Sequence, residues 1–166
     1  MKSLFKKIIK EIVLFALMLF VVSNVISYLR APKLQSTILP AIDTVMLDGS
    51  TFTSKEIRKK PLIIHFWATW CPVCKTEAST IQSISKTYEV LTIAVGSGTD
   101  EELRTFMDQN GYNFRVVNDN EGVLAEQFKV EVFPTTFIFD RDGKLKFTEV
   151  GYTTLLGFKG RLGVLK

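Results

Sequence analysis

The stretch Leu62-Ile-Ile-His-Phe-Trp-Ala-Thr-Trp-Cys-Pro-Val-Cys74 carries the reading of this chain. Its first six residues follow Pro61 and form a short apolar, β-rich run with no polar alternation, the pattern of a central strand buried on both faces. The run leads through Ala68-Thr69-Trp70 directly into a Cys-Pro-Val-Cys motif. Beyond it, Val73, Ala78, Ile81, Ile84 and Tyr88 recur at helical spacing, which predicts a helix over residues 72–88 with Pro72 in its first turn, where a missing N–H costs nothing.

Cys71 and Cys74 are the chain's two cysteines, so no disulfide framework and no four-cysteine zinc site can be assembled within one chain. With Cys71 at the helix boundary and Cys74 one turn on, both side chains lie on one face at a separation a disulfide can bridge. The unpaired N–H groups and the dipole of a helix N-terminus stabilise a thiolate at Cys71, which makes it the expected nucleophile. Cys74, on the inner turn, is the expected resolving thiol, and Pro72 and Val73 are the spacer that shapes the pair. A permanently closed disulfide, two adjacent buried cysteines or half of an intermolecular zinc site are the plainer readings of an isolated motif. A strand running straight into Cys-x-x-Cys at a helix start favours the redox reading over all three.

On the N-terminal side, Thr44–Thr53 alternates weakly around Asp48-Gly49, a tight-turn dipeptide, and reads as a hairpin. On the C-terminal side, Val90–Val95 reads as a second buried strand, and Asp100 as the cap of a helix that runs through Asp108 and ends near Asn110-Gly111. A short strand at Phe114–Val117 and a helix at Gly122–Phe128 follow. Strands at Thr135–Asp140 and Lys144–Val150 then pair across Asp142-Gly143, and a terminal helix fills the last fifteen residues. Parallel strands need crossover helices while the last pair can be a hairpin, so the expected fold is α/β, a mixed central sheet flanked by helices on both faces.

The N-terminus is of another kind. Ile12–Leu29 carries no charge, is bounded by Glu11 and Arg30, and is long enough to cross a hydrocarbon core. A cleaved signal peptide is the competing reading, but the run is longer than a signal core and Val22–Tyr28 offers a poor small-x-small cleavage site. Four lysines (Lys2, Lys6, Lys7, Lys10) and one Glu precede the run, against Arg30 and Lys33 after it, so the positive-inside bias puts the N-terminus in the cytoplasm. The expected organisation is a cytoplasmic basic segment (1–11), one transmembrane anchor (12–29), a proline-containing linker (30–37) and a single exported domain (38–166). The same lysines explain part of the net charge of +4, and the scattered Arg58, Lys59, Lys60, Lys144, Lys146, Lys159 and Arg161 sit on no recognisable nucleic-acid motif, so no nucleic-acid partner is expected.

His65-Phe-Trp-Ala-Thr-Trp-Cys-Pro-Val-Cys-Lys-Thr-Glu77 closely resembles the active-site segment of thioredoxin-fold proteins, and Val132-Phe-Pro-Thr-Thr-Phe-Ile-Phe-Asp140 resembles their second signature. The resemblance runs from about Ile38 to the C-terminus. Together with the single anchor it is similar to the TlpA/ResA/DsbE group of exported thioredoxin-like proteins, with the copper-sensitivity suppressor ScsD as the nearest subgroup. It implies that Pro134 is a cis-proline facing the cysteine pair, with Phe133 offering backbone groups to a partner's extended chain. It also implies that Trp70 borders the reactive thiol, that Trp67 packs beneath it, and that Glu77 helps tune the pair; taken alone, Glu77 reads as a helix-surface charge. His65 stands where thioredoxin has its buried aspartate, so that carboxylate is missing here, and a histidine is chemically able to relay the same proton. Neither cysteine lies in a Pro-x-x-x-Thr-x-x-Cys setting, which argues against a peroxidase.

The resemblance further implies an enzyme at the bacterial inner membrane with its catalytic domain on the periplasmic side. It would exchange disulfides with exported proteins carrying thiols or disulfides and would be kept reduced by a membrane electron-transfer protein. No cofactor is expected beyond a redox-active Cys71–Cys74 disulfide. A disulfide-donating oxidase and a copper(I)- or partner-binding module stay open as alternatives, because a Cys-x-x-Cys pair alone sets neither potential nor metal use.

Overall fold

The computed structural model describes residues 2–32, 34, 36–56 and 60–165, with the backbone alone at residues 2–4, 23, 28 and 56. Lys33, Arg58 and Lys59, counted above among the cations, lie outside the described residues.

The chain begins with one helix, α1 (Lys2–Arg30). Phe5–Ser27 within it is long and apolar enough to cross a membrane, with a mean hydropathy of 2.2, and it is not buried against the rest of the protein. Ser27 Oγ accepts the Val150 N–H at 3.1 Å, which joins the end of α1 to the sheet.

A hairpin of β1 (Asp43–Val45) and β2 (Thr51–Thr53) comes next, with Asp43 opposite Thr53, as the Asp48-Gly49 turn predicts. Gly49 has φ +86, the left-handed conformation that favours glycine. A five-stranded mixed sheet then follows the order β5-β4-β3-β6-β7. Its members are β3 (Leu62–Trp67), β4 (Glu89–Val95), β5 (Val116–Asp119), β6 (Thr135–Phe139) and β7 (Leu145–Val150). β3 pairs in parallel with β4 and antiparallel with β6, so it sits in the middle, and all six of its residues are buried.

Its two faces feed two cores. Ile63 and Trp67 join Ile81 and Ile84 of α2 (Pro72–Ser85), Leu103 and Met107 of α3 (Asp100–Gln109), and Phe158 and Leu162 of α5 (Leu155–Gly163). Leu62, Ile64 and Phe66 join Ile42 and Phe52 of the hairpin region, Ala125 of α4 (Val123–Gln127), Phe128, Phe137 and Phe139. This is the predicted mixed sheet, a thioredoxin-like α/β fold.

Some boundaries differ from expectation for local reasons. α2 stops three residues early, and its end tightens where the Thr87 amide turns back to Ile84 O, three residues before it, at 3.0 Å. α3 is capped by Thr99 rather than Asp100: Thr99 Oγ1 accepts the Glu102 N–H while Glu102 accepts the Thr99 N–H at 2.7 Å, a reciprocal box that outcompetes a lone aspartate. β5 begins at Val116, and Phe114 instead packs edge-on against Trp67, with ring centroids 5.9 Å apart.

Candidate active site

The C-terminal end of β3 delivers the chain to the first turn of α2, where Cys71 is the N-cap and Pro72 occupies the first helical turn. Cys71 and Cys74 are joined as a disulfide, with Cα atoms 5.3 Å apart. The Cys74 N–H points at Cys71 Sγ from 3.2 Å, so one of the unpaired amides of the helix start is aimed at the outer sulfur. Cys71 keeps the greater exposure, 5% against 2% for Cys74.

The surroundings are built from distant parts of the chain. Trp70 is 61% exposed, yet its position is set: Nε1 donates to Gly96 O at 3.0 Å, and its ring meets Phe133 edge-on at 5.8 Å. The preceding amide, Thr69 N–H, donates to Ser97 Oγ at 3.1 Å, so the loop after β4 holds both residues before Cys71. Phe133 O lies 3.8 Å from Cys71 Sγ, and the Phe133–Pro134 peptide is cis. A groove of about 900 Å³ beside the pair is lined by Val73, Val132, Phe133, Tyr152 and Thr153, and by Asn24 and Ser27 of α1. Trp67 is buried in the core beneath, where packing with Phe106 and Phe114 accounts for it.

Two titratable groups lie inside. Glu77 is on the same helical face as Cys74, one turn on, and is fully buried, so it is not a surface charge. Its Oε1 accepts the Thr153 N–H at 2.7 Å, while Oε2 has no partner among the described residues. Burial pushes its pKa up to about 8, the Thr153 amide opposes that rise, and the charge of Glu149 adds to it. His65, opposite Thr136 in the sheet, has Nδ1 2.9 Å from Thr136 Oγ1, and burial lowers its pKa to about 3, so the ring is neutral.

Thus Cys71, Cys74, Pro72, Val73, Trp70, Phe133 and Pro134 converge on one surface, and Glu77 and His65 lie within. Sequence reasoning missed Gly96, Ser97, Thr153 and the Glu149–Arg161 ion pair. No local signal marks them, because each acts through tertiary contact.

A helix-capping Cys-x-x-Cys pair at the end of a central strand, opposite a cis-proline, defines a thioredoxin-like protein equipped for thiol-disulfide exchange. The chain belongs to the AhpC/TSA family, whose model matches residues 31–148. A thioredoxin-like protein of Haemophilus influenzae is 31% identical over 159 residues, 95% of this chain and 94% of the relative. Sporulation thiol-disulfide oxidoreductase A of Bacillus subtilis is 29% identical over 126 residues, covering 69% of this chain and 76% of that protein. Among solved structures, the pneumococcal exposed lipoprotein thioredoxin Etrx1 of Streptococcus pneumoniae aligns with a TM-score of 0.69 at 26% identity, covering 76% of this chain and 100% of that one.

Proposed function

We propose that this chain is a membrane-anchored thiol-disulfide oxidoreductase that reduces disulfides of exported partner proteins, with Cys71 as nucleophile and Cys74 as resolving thiol. The observation that carries this reading is the helix-capping position of Cys71, whose sulfur faces the Cys74 N–H at 3.2 Å and lies 3.8 Å from Phe133 O.

The reaction starts from the dithiol. The Cys71 thiolate attacks one sulfur of a partner disulfide; a Cys71–partner disulfide forms, and the partner's other sulfur leaves as a thiolate that takes a proton from water. Cys74 then loses its proton and attacks Cys71 Sγ. The Cys71–Cys74 bond forms, the bond to the partner breaks, and the partner leaves as a dithiol. Glu77 is the acceptor that suits the Cys74 proton, because its affinity for a proton falls near neutrality, whereas buried His65 is too weak a base there. Two electrons and two protons from a membrane electron-transfer protein with dithiol chemistry restore the starting state. Sulfur carries every step, so no metal or organic cofactor enters.

The apolar run Phe5–Ser27 is long enough to span a bilayer and is not buried against the domain, which fits a lipid-facing helix. In this reading residues 1–11 are cytoplasmic, 12–29 span the inner membrane, 30–37 are the linker and 38–166 are the catalytic domain on the periplasmic side. Family membership does not bring peroxidase chemistry with it, since neither cysteine has the peroxidatic sequence setting.

The test is the reduction potential of the full chain in detergent micelles, followed by thiol alkylation in glutathione or dithiothreitol buffers. A value near about −270 mV supports a reductant, one near about −120 mV makes the protein an oxidase, and a pair that never cycles ends the enzymatic reading.

A further inference from the structure

Arg161 on α5 is held from three sides. Its Nε donates to Glu149 Oε1 on β7, its Nη1 donates to Gly157 O at 3.0 Å, and its guanidinium lies 6.0 Å from the centre of the Phe147 ring. The ion pair is largely withdrawn from water, with side chains 26% and 16% exposed, so solvent screens it less than a surface pair. Gly157 makes room for it: a Cβ there would meet Arg161 Nη1 at 3.2 Å.

Gly157 also joins the pair to Glu77: the same added Cβ would meet Thr153 Cγ2 at 3.2 Å, and the Thr153 N–H is the one that Glu77 accepts. Glu77, buried one turn from Cys74, has one oxygen on the Thr153 amide and one with no partner among the described residues. Its ionisation therefore answers to the charges around it. On α2 itself the neighbouring titratable group is Cys74, and Lys75 sits over the Phe106 ring instead. β7 contributes Glu149, whose negative charge acts against ionisation of Glu77. α5 contributes Arg161 and the exposed Lys159. β4 also packs on α2, but its one charged residue, Glu89, is held by Arg115 at the far end of the strand. His65 of β3 is buried and uncharged.

We propose that Arg161 is a positioning residue of the redox centre: by holding Glu149 it offsets the negative charge that would otherwise bear on Glu77, and so governs proton exchange between Glu77 and Cys74. The inference rests on the exchange reading above. The step it controls is transfer of the Cys74 thiol proton to the Glu77 carboxylate as the Cys74 sulfur attacks Cys71 and the partner sulfur departs. Arg161 touches none of the reacting atoms.

The test is the pH dependence of the Cys71–Cys74 potential in the full chain, from about pH 5 to about pH 10, where ionisation of a linked acid bends the curve. Wild type bends where Glu77 titrates, and Glu77→Gln lacks that bend. Arg161→Gln is expected to move the bend up by at least about half a pH unit. Glu149→Gln moves it down, Arg161→Lys keeps the wild-type position, and the double variant Arg161→Gln/Glu149→Gln, which removes both charges, returns the bend toward the wild-type position. A merely structural role lowers the melting temperature of these variants and leaves the bend in place. An unmoved bend in Arg161→Gln and Glu149→Gln, with Glu77→Gln still removing it, overturns the proposal and leaves the exchange reading standing. Should Arg161→Gln not fold, Glu149→Gln and Arg161→Lys decide between the same outcomes. A pair that does not cycle at all, or a Cys71→Ser chain that still reduces disulfides, sinks the exchange reading instead.

Discussion

Glu77 and Thr153 are 76 positions apart, yet the Glu77 carboxyl accepts the Thr153 N–H at 2.7 Å inside the protein, and its second oxygen faces no partner among the described residues. A carboxyl in that setting binds its proton more tightly when the chain is folded than when it is unfolded. The fold thereby places beside Cys74 a carboxyl that gives up and regains its proton near pH 8.

Stability follows from that relationship. The folded pKa of about 8 lies above the ordinary 4.5, so between these values the folded state holds a proton that the unfolded chain releases. Stability is therefore greatest below about pH 4.5 as far as Glu77 is concerned, and is lost as pH rises toward 8, by up to roughly 5 kcal/mol. Glu77→Gln is expected to melt higher than wild type at pH 8 and at nearly the same temperature at pH 4. Equal differences at both pH values in scanning calorimetry would falsify the assignment.

His65 has the opposite sign. Its folded pKa of about 3 lies below the ordinary 6.5, so the unfolded chain takes up a proton that the folded chain refuses, and stability falls as pH drops from 6.5 toward 3. His65→Gln, which keeps a polar group facing Thr136, is expected to flatten that acid limb in urea titrations while leaving redox behaviour at neutral pH intact. A neutral-pH change in resolution rate would instead make the ring part of the proton path.

Cysteine roles separate by trapping. In Cys74→Ser the attack on a partner disulfide proceeds and resolution does not, so mixed disulfides accumulate on non-reducing gels; in Cys71→Ser they do not form. The reverse pattern would exchange the two assignments.

Trp70 depends on a backbone that has left the usual regions. Gly96 has φ +52, and its carbonyl accepts the Trp70 Nε1–H. Gly96→Ala introduces left-handed strain of about 1 kcal/mol. It is expected to lower the melting temperature by a few degrees and to loosen Trp70, read as a change in tryptophan fluorescence anisotropy. Full retention of both would mean that the loop does not hold the indole.

Much of the fold was legible because its signals are local. The hairpin at Asp48-Gly49, the unbroken apolar run of β3 and the helical spacing after Pro72 each report on neighbouring residues. The misjudged boundaries arose where two local signals competed, as when the Thr99/Glu102 box displaced Asp100 as the cap. Glu77 was harder to read. Three residues after Cys74 it is positioned by helical period, but whether that face meets water or α5 and the Thr153 loop depends on packing.

Sequence order was enough to specify a strand that delivers two cysteines to the start of a helix, because periodicity and capping act within a turn or two. It was also enough to specify an apolar segment long enough to cross a bilayer. Packing of the folded chain alone settled which carboxyl lost its water, that the one histidine lost its charge, how Gly96 holds Trp70 and how Arg161 meets Glu149. Desolvation and Coulomb interactions depend on distance in space, and those partners come from strands and helices far apart along the chain.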